Sequence, residues 1–339
     1  MDPTSGSYGA DRSGVVCGFL FTPDGRARPI ESAEASVWLH DATTERGRGF
    51  IWLHFNAAHA ATERWLRAHL ELSETFFEAL HESSRSTRIE YADPSLIAIL
   101  NDVIYDFLSM DSSKVSTLCL SIDPRVLISV RRQPLRSVDR LRTAVKGGET
   151  FASPLALVIH LLRDQADVLV QIVRSTSAKV DDIEDSFLSG RLELKRAGLG
   201  SLRRDLVRLQ RLLAPEPGAL FRLLNHPPVW IEPHDAQELR QSTEEFSVVL
   251  GDMTGLQERI KLLQEEIATR VSEQTNRSVF VLTAVTVLAL PINMIAGLFG
   301  MNVGGVPLAQ HSYGFWIVLA VVGTFTVAAG WIAFRKRRP

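Results

Sequence analysis

The chain has 339 residues, with 37 Lys and Arg against 39 Asp and Glu, a formal net charge of -2. That balance argues against nucleic acid or a strongly acidic molecule as partner. Cys17 and Cys119 lie in separate apolar runs and read as small buried hydrophobes, not as a disulfide pair.

Residues 1–14 are polar and lack the apolar core of a signal peptide, so they are expected to be a disordered terminus. Val15 to Thr22 (VVCGFLFT) and Phe50 to Phe55 (FIWLHF) are β-branched and aromatic runs bounded by Gly, Pro and Asp, the pattern of strands. SAEASVWLHD between them, Thr62 to Leu70, and Ser73 to Glu82 are expected to be helices, the last two opened by a capping Thr or Ser. Arg88 to Asp106 and Val115 to Val130 add strands, broken near Asp93-Pro94 and by a hairpin turn at Asp123-Pro124. Residues 15–150 are thus expected to form a cytoplasmic α/β domain.

From Pro154 the apolar period changes to that of a helix. Leu157, Leu161, Val168, Ile172, Val180, Ile183 and Leu188 predict one helix, and Leu192 to Leu213 an antiparallel partner. A Pro-rich connection from Leu220 to Glu232 completes a 151–232 segment. Pro233 then opens a long helix whose apolar stripe (Leu239, Phe246, Leu250, Met253, Leu256, Ile260, Leu263, Ile267, Val271) continues to residue 300, with a bend expected at Gly251 and Gly255. A helix from Asp235 to Leu298 reaches roughly 96 Å at about 1.5 Å per residue. One stripe of that length requires other helices, or copies of itself, to cover it.

No Asp, Glu, Lys or Arg occurs in the 57 positions from Ser278 to Phe334. A single crossing of a bilayer takes roughly 20 apolar residues. The stretch therefore predicts two spans, Val279 to Phe299 and Phe315 to Phe334, with residues 301–314 as an outer loop. The basic tail 335–339 and the absence of Lys and Arg from the loop predict both termini inside.

Gly300-Met301-Asn302 closes the first of two C-terminal spans, behind a long helix and an N-terminal α/β domain. In this the chain resembles the CorA-type divalent-cation transporters. The continuation Val303-Gly304-Gly305-Val306-Pro307 is similar to the ZntB-like zinc branch. Magnesium members usually place an aromatic residue after the tripeptide and a Glu after the proline; here Leu308 follows Pro307 and the loop carries no acid. The resemblance implies a homopentamer in a bacterial inner membrane: first spans line a pore, second spans surround it, and cytoplasmic domains form a funnel. The fold class is then an α+β membrane protein with a helical stalk and two C-terminal transmembrane helices. Independently, two helices in contact enclose no channel, so a pore requires an oligomer.

Stepping back from Asn302 at helical spacing, Asn293, Thr286, Thr283 and Asn276 fall near one face, interleaved with Gly297, Leu290 and Val279. This is the expected pore lining. The alternative is that the threonines bond their own backbone and Asn293 bonds across helices. The Asn302 amide oxygen at the outer rim is suited to hydrogen-bonding the water shell of a divalent ion. Inside, Asp181, Asp182, Glu184, Asp185, Glu265 and Glu266 are expected to draw cations into the funnel, or simply to form a solvated face. His311 is the single histidine of the outer loop, and one imidazole makes no zinc site. His40, His54 and His59, and His226 with His234, lack the spacing of metal ligands and read as structural.

No Walker motif is present, which leaves ion gradients as the expected energy source, and an enzyme reading has no residue constellation behind it. The expected activity is transport of Zn2+, with Mg2+, Co2+, Ni2+ and Cd2+ as further cargo and no cofactor. A divalent ion gains about 4.6 kcal/mol moving inward across 100 mV, which favours uptake. The spans hold no Asp, Glu or Lys for a proton relay, so proton coupling has to use His311, water or outside groups. A magnesium or cobalt channel, zinc efflux, and a non-conducting membrane-tethered scaffold are the competing readings.

Overall fold

In the computed structural model the chain divides into two compact units, Met1–Leu262 and Leu263–Pro339. The residues described are 9–41, 49–81, 87–92, 95–104, 114–189, 196–301, 307–308 and 311–335.

The first unit is built on seven strands: β1 (Val15–Phe21), β2 (Ala27–Pro29), β3 (Phe50–Asn56), β4 (Arg88–Ala92), β5 (Ser95–Val103), β6 (Val115–Ile122) and β7 (Val126–Arg131). Their spatial order is β2-β1-β3-β7-β6-β5-β4. Every neighbouring pair is antiparallel except β3 and β7, which run parallel with Ile51 opposite Val126. The turn between β6 and β7 is held by Asp123, whose Oδ1 accepts from the Arg125 and Val126 amides at 2.7 and 2.8 Å.

Alternation along the strands sends neighbouring side chains to two cores. Phe50 and Trp52 of β3 enter the core shared with helices α4 (Arg136–Lys146), α5 (Pro154–Leu188) and α7 (Pro215–Asn225). Ile51, Leu53 and Phe55 enter the other, under α1 (Ser32–Asp41), α2 (Thr62–His69) and α3 (Glu74–His81). Covering both faces explains why β3 reads as an unbroken apolar run and not as an alternating one.

Helix α5 starts where Ser153 Oγ accepts from the Ala156 amide at 3.0 Å, with Pro154 in the first turn. The same hydroxyl donates to Asp235 Oδ2 at 2.7 Å, joining the starts of α5 and α8 (Pro233–Phe299). Helix α6 (Arg196–Leu213) precedes α7, and α9 (Gly314–Arg335) closes the chain.

Several expectations change. The connection expected from Leu220 to Glu232 is helical up to Asn225, because Pro215 and Pro217 occupy the first turn of α7, where a missing N–H costs nothing. Helix α4 and the short strand β2 add to the expected elements, and α8 passes Gly251 and Gly255 without interruption. No gap in packing falls at residue 150: Phe19, Trp52, Leu157, Leu220 and Leu239 belong to one core.

Candidate ion pathway

In the second unit, α9 and the later part of α8 are long and apolar enough to cross a membrane. Their large side chains face outward from the chain, Leu290 and Met294 among them on α8 and Phe315 and Trp316 on α9. Water would penalise that surface at roughly 25 cal/mol per Å², whereas lipid or further helices accommodate it.

The expected stripe lies on the open side of α8. Asn276, Val279, Thr283, Thr286, Leu290, Asn293 and Gly297 are all exposed, while Phe280, Ala284, Leu288, Pro291 and Ile295 across the helix are partly covered. Thr283 Oγ1 donates to Val279 O and Thr286 Oγ1 to Leu282 O, both at 2.8 Å. Backbone bonding and a polar lining are therefore compatible: each hydroxyl spends its hydrogen on the helix and presents lone pairs, the half a cation's water shell needs.

The helix closes with Gly300 N donating to Ala296 O at 2.9 Å, and Met301 is exposed. Asn302, Gly304 and Gly305 lie outside the described residues. The turn into α9 is ordered by His311, whose Nδ1 accepts from the Tyr313 amide at 3.3 Å and whose carbonyl accepts from Gly314 N at 2.9 Å. Leu308 takes the left-handed conformation at φ 67°. A Cβ on Gly314 would lie 2.4 Å from Leu308 O, so this return of the chain demands glycine.

Asp181 and Glu184 of the proposed funnel set each have a cation. In the first unit Arg259 reaches Asp181 Oδ1 at 2.7 Å and Glu184 Oε2 at 2.5 Å. Asp182, Asp185, Glu265 and Glu266 are exposed. Among the described residues no group of three or more His, Cys, Asp or Glu is arranged to hold a metal ion.

Among the described residues no three histidines come together. His54 is buried, its Nδ1 bonded to Ser129 Oγ and its Nε2 accepting from Arg131 Nε, both at 2.8 Å. Burial, reinforced by the Arg131 charge, holds its pKa well below 6.5, so it is a neutral core residue. His40 bonds Ser36 O and packs its ring on His69, and His59 accepts from the Ala61 amide. His234 lies 3.7 Å from Asp235 and 3.8 Å from Glu238, while His226 is exposed. Both cysteines are free thiols, and burial pushes Cys119 up to about 12.

Sequence reasoning missed a buried carboxyl pair, Asp102 and Glu216. The signal for Glu216 is Pro-Glu-Pro at residues 215–217, a helix start holding an acid in the stretch between Leu213 and Leu220 to which periodicity assigns no element.

With this geometry in view, comparison with known proteins is specific. A family model described as CorA-like Mg2+ transporter protein matches residues 47–337. The chain is 28% identical over 332 residues to the divalent cation transporter CmaX of Pseudomonas aeruginosa, covering 97% of each protein. It is 22% identical over 286 residues to the zinc transport protein ZntB of Pectobacterium atrosepticum, covering 84% of this chain and 87% of that one. Among solved structures, full-length CmaX superposes with a TM-score of 0.79 at 24% identity, covering 97% of this chain and 99% of that one.

Proposed function

The chain belongs to the CorA-like Mg2+ transporter family, and from that premise we propose that it carries Zn2+ and other divalent cations across a bacterial inner membrane through a homopentameric pore. The observation that carries this reading is the exposed polar stripe from Asn276 to Gly297, running up α8 to Gly300-Met301. The α8 helix of each copy turns that stripe inward, and α9 faces lipid. Threonine lone pairs and the Asn276 and Asn293 amides then contact the water shell of the passing ion without stripping it.

Zinc is favoured over magnesium by the neutral loop after the tripeptide and by relatives named as zinc transport proteins. Carboxylates near the rim would hold Mg2+ through its waters; a ring of amides binds weakly and favours throughput. Uptake follows from the membrane potential, about 4.6 kcal/mol per divalent ion at 100 mV. The spans carry no acid or Lys to relay protons, so any coupling runs through water or groups outside them.

Proteoliposomes loaded with a zinc-sensitive dye test the proposal. Zinc-dependent signal should exceed that of empty vesicles, persist with equimolar Mg2+ outside, and respond to reversal of an imposed pH gradient if protons are coupled. Asn302→Ala should reduce it; flux equal to empty vesicles, with the tripeptide inert, would leave only a non-conducting scaffold.

A further inference from the structure

A carboxyl group buried without a cation has to be neutralised or reward its burial in some other way. Glu216, in the first turn of α7, is 0% exposed. Its Oε1 accepts from the Asn101 amide of β5 at 2.6 Å and its Oε2 from Gln165 Nε2 of α5 at 3.0 Å, and the Thr87 side chain also bonds the carboxyl. Gln165 Nε2 also donates to Asn101 O. The other amide atom, Gln165 Oε1, is buried and has no hydrogen-bond donor. An ionised Glu216 brings only acceptors to this place, whereas a protonated one brings the additional O–H that such a network lacks.

We propose that Glu216 is a proton-binding site of the first unit, occupied while α7 is docked between α5 and the sheet, and emptied as the surroundings become alkaline.

The charged groups around it support the neutral form. Asp102, the next residue of β5, is also buried, with Ser137 Oγ, Ser137 N and Val103 N as donors, and because burial pushes it up only to about 6 it is the member that carries the negative charge. That charge disfavours a second one on Glu216. Asp164 on α5 is engaged by His160 Nδ1 at 3.0 Å. On the elements either side, Arg208 and Arg211 of α6 and Arg222 of α7 are exposed, and Arg88 of β4 pairs with Glu90. Burial, with Asp102 adding to it, pushes Glu216 up to about 8 and burial pushes Asp102 up to about 6. The α7 dipole favours the anion at a helix start, but desolvation outweighs it for a fully buried carboxyl.

The consequence reaches the long helix. Leu220 and Leu224 of α7 share a core with Leu239 of α8, so loss of the proton places an anion beneath the element that leads into α8. The folded pKa of about 8 lies above the ordinary 4.5, so the folded state holds more protons between these values and stability falls as pH rises through that interval.

The test uses the full chain in lipid nanodiscs. Infrared difference titration should show loss of a protonated-carboxyl C=O band with a midpoint near 8, absent in E216Q. D102N should move that midpoint down. Hydrogen exchange of α7 amides, corrected for intrinsic rates, should accelerate by up to about tenfold per pH unit between about 4.5 and 8 in the native chain, level off above the midpoint, and stay flat in E216Q. A band and exchange profile identical in the native chain and E216Q would overturn the proposal, as would an unmoved midpoint in D102N. If E216Q does not fold, the native infrared titration with D102N still decides.

Discussion

Asn293 is an exposed amide two residues after Pro291, which removes one backbone hydrogen bond from α8. Asn293→Leu keeps the branched shape and removes the amide from every copy of a pore. Zinc flux in proteoliposomes should fall about tenfold or more, since a tenfold rate change needs only about 1.36 kcal/mol, with little change in unfolding temperature. His54 makes the opposite kind of prediction, about stability and not flux. Its folded pKa lies well below 6.5, so the folded state binds fewer protons than the unfolded chain as pH drops below that value. The stability it contributes is complete above 6.5 and is lost as pH falls towards the folded pKa. In His54→Gln the acid limb of a urea-unfolding series in detergent should be shallower by up to about 1.4 kcal/mol per pH unit in that window.

At the scale of elements, the turn before α9 depends on one close approach. Gly314→Val would drive a side chain into Leu308 O, now 2.4 Å from where its Cβ must sit, and should cost about 1–3 kcal/mol. A lowered thermal midpoint in detergent, with no comparable effect from Gly323→Val in open space on α9, would check it. The extra helix α7 belongs to this scale too. The Pro-rich stretch from Leu220 reads as a connection, yet the helix runs to Asn225, with Pro215 and Pro217 in its first turn and its apolar face, Leu220 and Leu224, buried in the sheet's core. Propensity is a weak prior that such burial overrides.

At the scale of the whole molecule, two helices with outward apolar side chains and one polar stripe require partners, and a conducting path requires several copies. Native mass spectrometry from nanodiscs should give a homopentamer as the main species. A monomer that still carries zinc would contradict the pore reading.

The two membrane spans, the stripe on α8 and most strands were determined by the sequence itself, because each depends on a local pattern: an uncharged stretch, a 3.6 period, a period of two. The resemblance carried by Gly300-Met301-Asn302 rested on the same local order. What the tertiary structure decided is pairing. Arg259 takes Asp181 and Glu184 out of a proposed funnel set, and His54 faces Ser129 and Arg131 in place of His40 or His59. Asn101, Gln165 and Glu216 meet across 115 positions of chain. Periodicity assigns a residue to a face, but only the packing of distant segments determines which opposing groups lose their water together, and so which carboxyl must keep its proton.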